Sequence, residues 1–225
     1  MRIELDFLPV LAQWPLLVKG VAWTLALTAF SAVLGGLVGV ACAWARAYGM
    51  RPLAYAVATY VELIRNTPFI VQLFFIFFGL PAAGVKLTPE IASIIAMVMN
   101  LGAYAAEIVR AGLDATPRGQ MDAAKAIGLS RLQMFRLVVL PPALAKVWPA
   151  MVSQIIIVML GSAVCGQIST EELSYAANLI QSRNFRAFES FIIAGAIYLL
   201  LAVGVRKLLT WLGPRFFFGS FGEQR

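Results

Sequence analysis

The sequence predicts an all-α bundle of membrane-spanning helices, and three observations support this fold class. Hydrophobic residues make up 61% of the 225-residue chain, where soluble domains have roughly 45–50%. Charged residues make up only 13%, about half of the usual share. Uncharged stretches such as 20–45 and 147–170 exceed the roughly 20 residues that a spanning helix needs. A soluble enzyme and a nucleic-acid-binding protein are therefore not expected.

The residue types of the chain exclude several kinds of catalytic and metal-binding site. Histidine is absent, which removes imidazole metal sites and histidine-activated nucleophiles. Cys42 and Cys165 each lie inside an apolar stretch, so no disulfide is implied. We therefore expect no catalytic residue and no metal site. The net charge of +7 is attributed to basic loops beside a membrane rather than to nucleic-acid binding.

Five transmembrane helices are predicted within one domain that covers residues 1–225. Their expected bounds are about 18–45, 66–85, 89–111, 146–168 and 187–209. The third begins at Thr88-Pro89-Glu90, where an N-cap hydroxyl precedes a proline at the first helical position. The apolar stretch 52–61 is too short to cross a bilayer. It is either an interfacial elbow or an early extension of the second span.

The distribution of basic residues predicts the orientation of the helices. An odd number of spans puts the two termini on opposite sides of the membrane. With the N-terminus outside, most of the 18 lysines and arginines fall in cytoplasmic segments, as the positive-inside rule requires. We therefore expect a multi-pass protein of the cytoplasmic (inner) membrane, with its N-terminus outside, its C-terminus inside and lipid around it.

The cytoplasmic segment 112–145 between the third and fourth spans has the pattern of a helix-turn-helix. Thr116-Pro117 starts a first helix, and Gly128 ends it. Ser130-x-x-Gln133 has the form of a capping box for a second helix, which Pro141-Pro142 is expected to stop. Two interpretations remain open on physical grounds alone. The hairpin either docks on a cytoplasmic partner or lies as an amphipathic helix on anionic lipid.

Several motifs occur in order along almost the whole chain. They are Glu62-Leu63-x-Arg65-Asn66-Thr67-Pro68, Gly102-Ala103-Tyr104-x-Ala106-Glu107-Ile108-x-Arg110, Pro117-Arg118-Gly119-Gln120 and Asp122-Ala123-Ala124-x3-Gly128-x9-Val138-x-Leu140-Pro141. The last resembles the EAA loop of ABC-type import permeases, with Asp122 where the family usually has Glu and Val138 where it usually has Ile. The other motifs resemble the polar amino-acid uptake branch of the same family.

The resemblance implies a permease subunit of an ATP-driven importer for a polar amino acid, coupled to a separate ATPase through the loop 116–141. The implied partners are a second permease copy or paralogue, two cytoplasmic ATP-binding subunits and an extracytoplasmic substrate-binding protein. ATP and Mg²⁺ would bind to the ATPase, since this chain has no glycine-rich phosphate-binding loop and is expected to hold no cofactor. The expected coupling residues are Gly119, Gln120, Asp122, Ala123, Ala124, Gly128, Leu132 and Phe135.

Polar residues within the predicted spans are candidates for the substrate pathway. The amides of Gln72, Asn100 and Gln154 lie in the middle of their spans and offer both donors and acceptors to a zwitterion. The alternative for each is a helix–helix hydrogen bond. Glu107 is a further candidate, or else an ion-pair partner of Arg110.

The stretch Arg65-Asn66-Thr67-Pro68 is a candidate gate or hinge, because proline fixes a bend and frees a backbone carbonyl. The fourth span departs from the family pattern, which has a lysine- and hydroxyl-containing run where this chain has Leu160-Gly161-Ser162-Ala163-Val164. A different substrate or a less substrate-engaged member of a heteromeric pair would each account for the change. The alternative function is a secondary, ion-coupled transporter, which would need acids deep within the membrane.

Overall fold

The structure is a computed structural model that describes residues 5–217, and every regular element in this range is a helix. In chain order the helices are α1 (Leu8–Leu11), α2 (Trp14–Tyr48), α3 (Arg51–Arg65), α4 (Phe69–Ala82), α5 (Pro89–Asp114), α6 (Arg118–Ala126), α7 (Arg131–Ile168), α8 (Leu173–Asn184) and α9 (Ala187–Phe217). The predicted all-α class is confirmed.

Within residues 5–217, four helices are each long and apolar enough to cross a membrane, namely α2, α5, α7 and the part of α9 from Ala187 to Arg215. The pair α3 and α4 meets the same criterion only together, and the two helices meet at an angle of 111°. Counting this bent pair as one span gives the predicted five. The stretch 52–61 is therefore helical and precedes the bend, while the depth of each helix in the bilayer stays a prediction.

Helix α5 lies at the centre of the bundle and packs against α2, α3, α4 and α7. Half of the most apolar 18-residue stretch of α5 is buried, whereas only 17% of the corresponding stretch of α9 is buried. Close packing depends on small residues, since a Cβ added to Gly39 of α2 would lie 2.4 Å from the Cβ of Ala105. The main apolar core forms here, with Leu27, Leu73 and Leu101 fully buried.

The predicted helix caps at Thr88 and Ser130 are present. The Thr88 hydroxyl accepts a hydrogen bond from the backbone N–H of Ile91 at 3.4 Å, which starts α5. The Ser130 hydroxyl accepts from the N–H of Gln133 at 3.3 Å, and the Gln133 side chain accepts from the N–H of Ser130 at 2.9 Å. This reciprocal pair starts α7 where the capping box predicts a helix.

The predicted stop at Pro141-Pro142 is wrong, because α7 continues through both prolines into the fourth span. A π-helical stretch, Met134–Val139, precedes them, and the α-helical part Leu140–Gly161 begins directly afterwards. Both prolines thus fall in the first turn of that part, where an N–H is not needed. The coupling segment predicted at 112–145 therefore consists of the separate helix α6 and the first turns of α7.

Helix α8, which connects the last two long helices, is anchored by Glu172 at its N-cap. The fully buried carboxylate accepts hydrogen bonds from the N–H groups of Ser174 at 2.8 Å and Tyr175 at 2.7 Å, and from the hydroxyl of Tyr198 at 2.5 Å. Burial raises the pKa of the Glu172 carboxyl, and these hydrogen bonds oppose the rise. Glu171 beside it forms an ion pair with Lys19.

Candidate functional site

The break between α3 and α4 is held together by side chains that satisfy its free carbonyl groups. The Asn66 amide donates to the Glu62 carbonyl at 2.8 Å, and the Thr67 hydroxyl donates to the Leu63 carbonyl. Pro68 is the N-cap of α4 and provides no N–H. The residues predicted as a gate or hinge thus form the 111° bend between α3 and α4, and their gating role stays a prediction.

Gln72 completes this arrangement from the first turn of α4. Its amide nitrogen donates to the carbonyl groups of Ile64 at 2.7 Å and Thr67 at 2.9 Å, so it bridges the two sides of the break. Its amide oxygen accepts a hydrogen bond from Asn100 at 3.1 Å, which ties the break to α5. Gln72 is 8% exposed. These contacts are those of the helix–helix alternative, and a substrate contact of Gln72 stays a prediction.

A cavity of about 640 Å³ opens between the break, α5 and α7. The lining comprises residues 65–69, Asn100 and Tyr104 from α5, and Gln154, Ile157, Val158, Gly161 and Val164 from α7. Two of the predicted pathway residues, Asn100 and Gln154, therefore meet at one cavity together with the predicted hinge. Gln72 and Glu107 are not among the lining residues.

Glu107 lies at the centre of a cluster of arginines beside the cavity. Its carboxylate pairs with Arg46 and with Arg110 at 3.0 Å, and it lies 3.5 Å from Arg65. Arg110 also pairs with Asp114 at 2.8 Å. The predicted ion pair with Arg110 is confirmed. Glu107 therefore lies next to Arg65 of the cavity lining without lining the cavity itself, and its role in the substrate pathway stays a prediction.

Arg65 and Tyr104 combine charge and aromatic surface at the cavity wall. The Arg65 guanidinium carbon lies 5.6 Å from the centroid of the Tyr104 ring, within the range of a cation–π contact. Sequence reasoning did not single out Tyr104 as a lining residue. Its spacing of four residues from Asn100 on one helix is the signal that puts both on the same face.

The candidate coupling surface consists of α6, the following turn and the start of α7. Gly128 has φ +78°, and its N–H donates to the Lys125 carbonyl at 3.0 Å while the N–H of Leu129 donates to the Ala124 carbonyl at 3.1 Å. These two bonds form a Schellman motif, which requires a left-handed residue that glycine adopts without strain. The predicted break at Gly128 is confirmed.

The predicted coupling residues divide into an exposed set and a buried pair. The exposed set comprises Gly119, Gln120, Asp122, Ala123, Gly128 and Leu132. Ala124 and Phe135 are each 3% exposed, so neither offers the contact surface that was expected of it. Ala124 packs near Met134, and the Phe135 ring meets the Tyr48 ring edge-on at 5.8 Å between centroids. These two side chains attach the hairpin to the bundle.

Exposed apolar side chains surround the turn at Gly128. Ile127 is 75% exposed, Leu132 is 52% exposed and Leu137 is 62% exposed. Asp122 and Lys125 form an exposed ion pair at 3.3 Å on the same hairpin. The exposure of Leu137 was not predicted from the sequence. Together these residues form an apolar surface with a charged rim, a pattern common at protein interfaces.

The chemistry available at the cavity and hairpin is hydrogen bonding, charge and apolar contact. Between residues 5 and 217, no group of three or more acidic or cysteine side chains is arranged to hold a metal ion. The cavity offers one guanidinium, amides that both donate and accept, and apolar side chains from α7. Such a lining suits a small polar molecule with an anionic group.

Comparison with known proteins relates this architecture to a transport family. Residues 35–218 match the family described as "Binding-protein-dependent transport system inner membrane component". The chain is 31% identical over 212 residues to the arginine transport system permease protein ArtQ of Bacillus subtilis, covering 94% of this chain and 95% of that one. It is also 31% identical over 215 residues to the glutamine transport system permease protein GlnP of Escherichia coli, covering 95% and 98%.

A solved structure agrees with these sequence matches. A chain in the crystal structure of an amino acid ABC transporter with histidines superposes with a TM-score of 0.84 at 34% identity, covering 95% of this chain and 100% of that one. The likeness therefore extends over the entire bundle, including the bent pair and the hairpin. The chain belongs to the family of binding-protein-dependent transport system inner membrane components, which are the permease subunits of ABC importers.

Proposed function

We propose that this permease moves a polar amino acid through the cavity beside the α3–α4 break. The observation that carries the proposal is the meeting of Asn100, Gln154 and Arg65 at one cavity of about 640 Å³. The relatives named for arginine and glutamine transport support an amino acid as the cargo. The ion-coupled alternative has no support from these relatives.

The cavity lining matches the chemistry of a zwitterion. The Arg65 guanidinium is the charged lining group, and it suits the α-carboxylate of an amino acid because an arginine presents a fork of donors to two oxygens. Asn100 and Gln154 supply acceptors for the ammonium group and donors for a polar side chain. Ile157 and Val164 supply the apolar part of the wall.

Coupling to ATP hydrolysis would take place at the exposed face of the α6 hairpin. There a cytoplasmic ATPase subunit, which binds ATP and Mg²⁺, would contact Gly119, Gln120, Asp122 and Ala123. Helix α7 is continuous from Arg131 beside the hairpin to Gln154 at the cavity, a rise of about 35 Å at 1.5 Å per residue. Movement of the hairpin would therefore tilt one wall of the cavity. A change of conformation in the ATPase subunit would then change the access of the amino acid to the cavity.

The assembly that follows contains two permease chains, either two copies or two paralogues, above two ATP-binding subunits. An extracytoplasmic binding protein would deliver the amino acid on the opposite side. The N-out, C-in orientation places the hairpin and most basic residues at the ATPase side. Lipid surrounds the chain, and no nucleic acid takes part.

Uptake into proteoliposomes tests this proposal. The reconstituted complex, with its ATPase and binding protein, should accumulate labelled arginine or glutamine with ATP and not with a non-hydrolysable analogue. An ionophore should leave the uptake unchanged. Gln154→Leu should lower uptake at least several-fold, whereas Ser153→Ala, at an exposed neighbouring position outside the cavity, should not. Uptake that is independent of ATP, or unaffected by Gln154→Leu, would contradict the proposal.

A further inference from the structure

The last turns of α9 carry a basic stripe that the transport mechanism does not use. We define the basic stripe as Val203, Arg206, Lys207, Thr210 and Trp211, which line a groove of about 520 Å³, together with Arg215. The Arg215 guanidinium carbon lies 3.5 Å from the centroid of the Trp211 ring. Their spacing of three to four residues puts these side chains along one side of the helix.

The opposite side of the same helix is fixed against the bundle. The Trp148 indole nitrogen of α7 donates to the Leu209 carbonyl at 2.9 Å. A Cβ added to Gly213 would lie 2.1 Å from that indole nitrogen, so α7 and α9 approach closely here. The basic stripe therefore faces away from the rest of the chain, and its side chains are held on a helix whose rotation is set by this contact.

The cations of the basic stripe have no carboxylate partner in the described chain. Arg206, Lys207 and Arg215 form no ion pair within residues 5–217. In the same range, two carboxylates form neither an ion pair nor a side-chain hydrogen bond. They are Glu62 on α3 and Glu90 on α5. From residues 5–217, a second copy of this chain would bring two unpaired carboxylates, Glu62 and Glu90, against the three cations of the stripe. The stripe is therefore open to an anion from another source.

The position of the stripe along α9 puts it at the depth of lipid phosphates. Residues 190–205 are uncharged. From Glu189 to Arg206 the helix rises about 26 Å at 1.5 Å per residue, close to the hydrocarbon thickness of about 30 Å. Leu199 and Leu200 on this stretch are 65% and 72% exposed. Trp211, 56% exposed, has the amphipathic ring that favours the headgroup layer.

We propose that the basic stripe is a binding site for the phosphate headgroup of an anionic phospholipid. The guanidinium of Arg206 and the ammonium of Lys207 contact the phosphate, and the Trp211 ring, farther along the helix, lies beside the headgroup. The acyl chains extend along the exposed apolar surface of α9 at Leu199, Leu200 and Val203. This site is independent of the cargo and of the ATPase contact.

Quenching of Trp211 fluorescence by brominated lipid tests the site in the assembled complex. The complex is placed in nanodiscs that contain an equal fraction of either phosphatidylglycerol or phosphatidylcholine brominated at the ester end of its acyl chains, and Trp211→Phe gives the contribution of the other tryptophans. We expect stronger quenching by phosphatidylglycerol. The double variant Arg206→Gln and Lys207→Gln should weaken this preference about fivefold for each removed charge.

A matched pair of charge changes and a soluble anion complete the test. Arg51→Gln with Lys86→Gln removes two exposed cations elsewhere, and it should leave the preference unchanged. Millimolar glycerol phosphate should not displace the lipid, because the acyl chains contribute to binding. Equal quenching by both lipids, an unchanged preference in the stripe variant, or an equal loss in the control variant would overturn the proposal. So would displacement by glycerol phosphate, or no quenching by either lipid, which would mean that another subunit covers the stripe.

Discussion

Replacing Gln72 with leucine removes three hydrogen bonds from the α3–α4 break while keeping a side chain of similar volume. The amide nitrogen of Gln72 holds the carbonyl groups of Ile64 and Thr67, and its oxygen holds Asn100. Gln72 is 8% exposed, so water has little access to the groups that lose their partners. Destabilisation is expected because buried polar groups without partners are costly.

The expected loss can be worked out from the individual bonds. A hydrogen bond to a backbone carbonyl contributes about 1 kcal/mol net, and a side-chain bond between membrane helices contributes about 0.6 kcal/mol. Gln72→Leu should therefore lower the free energy of unfolding by about 2.5 kcal/mol. The Gln72–Asn100 pair alone should show a coupling energy of about 0.6 kcal/mol in a double-mutant cycle.

Unfolding by sodium dodecyl sulfate in mixed micelles, followed by tryptophan fluorescence, measures this change. Gln154→Leu is the matched control, since Gln154 forms no side-chain hydrogen bond within the described residues. It should change the free energy of unfolding by less than about 0.5 kcal/mol. If Gln72→Leu unfolds at the same detergent fraction as Gln154→Leu, then Gln72 does not stabilise the α3–α4 break as proposed.

Three further predictions concern the hairpin and α8. Gly128→Val should weaken co-purification of the ATPase, because a left-handed residue with a β-branched side chain costs about 1–2 kcal/mol, whereas Gly195→Val at an open helical position of α9 should not. Ala124→Leu should destabilise the chain by about 1–3 kcal/mol through overpacking, and exposed Ala123→Leu should not, as detergent unfolding will show. Since burial raises the pKa of Glu172, stability should fall as pH rises from 4.5 towards the folded pKa, and Glu172→Gln should flatten that slope in unfolding curves.

Features with a local cause were predictable from the sequence. The cap at Thr88, the capping box at Ser130 and the break at Gly128 each depend on a few neighbouring residues, and the structure contains all three. The spans follow from the spacing of charges, which the bilayer enforces on any chain. Mid-span positions made Asn100, Gln154 and Gln72 candidates alike, since polar side chains there face the bundle interior. The sequence did not predict that the first two would meet at one cavity without the third.

Features with a tertiary cause were missed. Glu107 pairs with Arg46 and Arg65, which are distant in sequence, so the spacing to Arg110 revealed only one partner. Ala124 faces inwards because the hairpin packs on the bundle near Tyr48, and nothing in its own helix indicates that direction. A π-helical stretch precedes the prolines at which α7 continues. No pattern in the sequence predicts such a stretch.

The most direct test of the coupling proposal is a photocrosslink from the hairpin to the ATP-binding subunit. Benzoylphenylalanine in place of exposed Ala123 is irradiated in membranes that contain the complete transporter, with the same residue in place of Lys86 as the control. We expect an adduct between position 123 and the ATP-binding subunit, and none from position 86. An adduct of position 123 with lipid alone, in a complex that contains the ATPase, would contradict it.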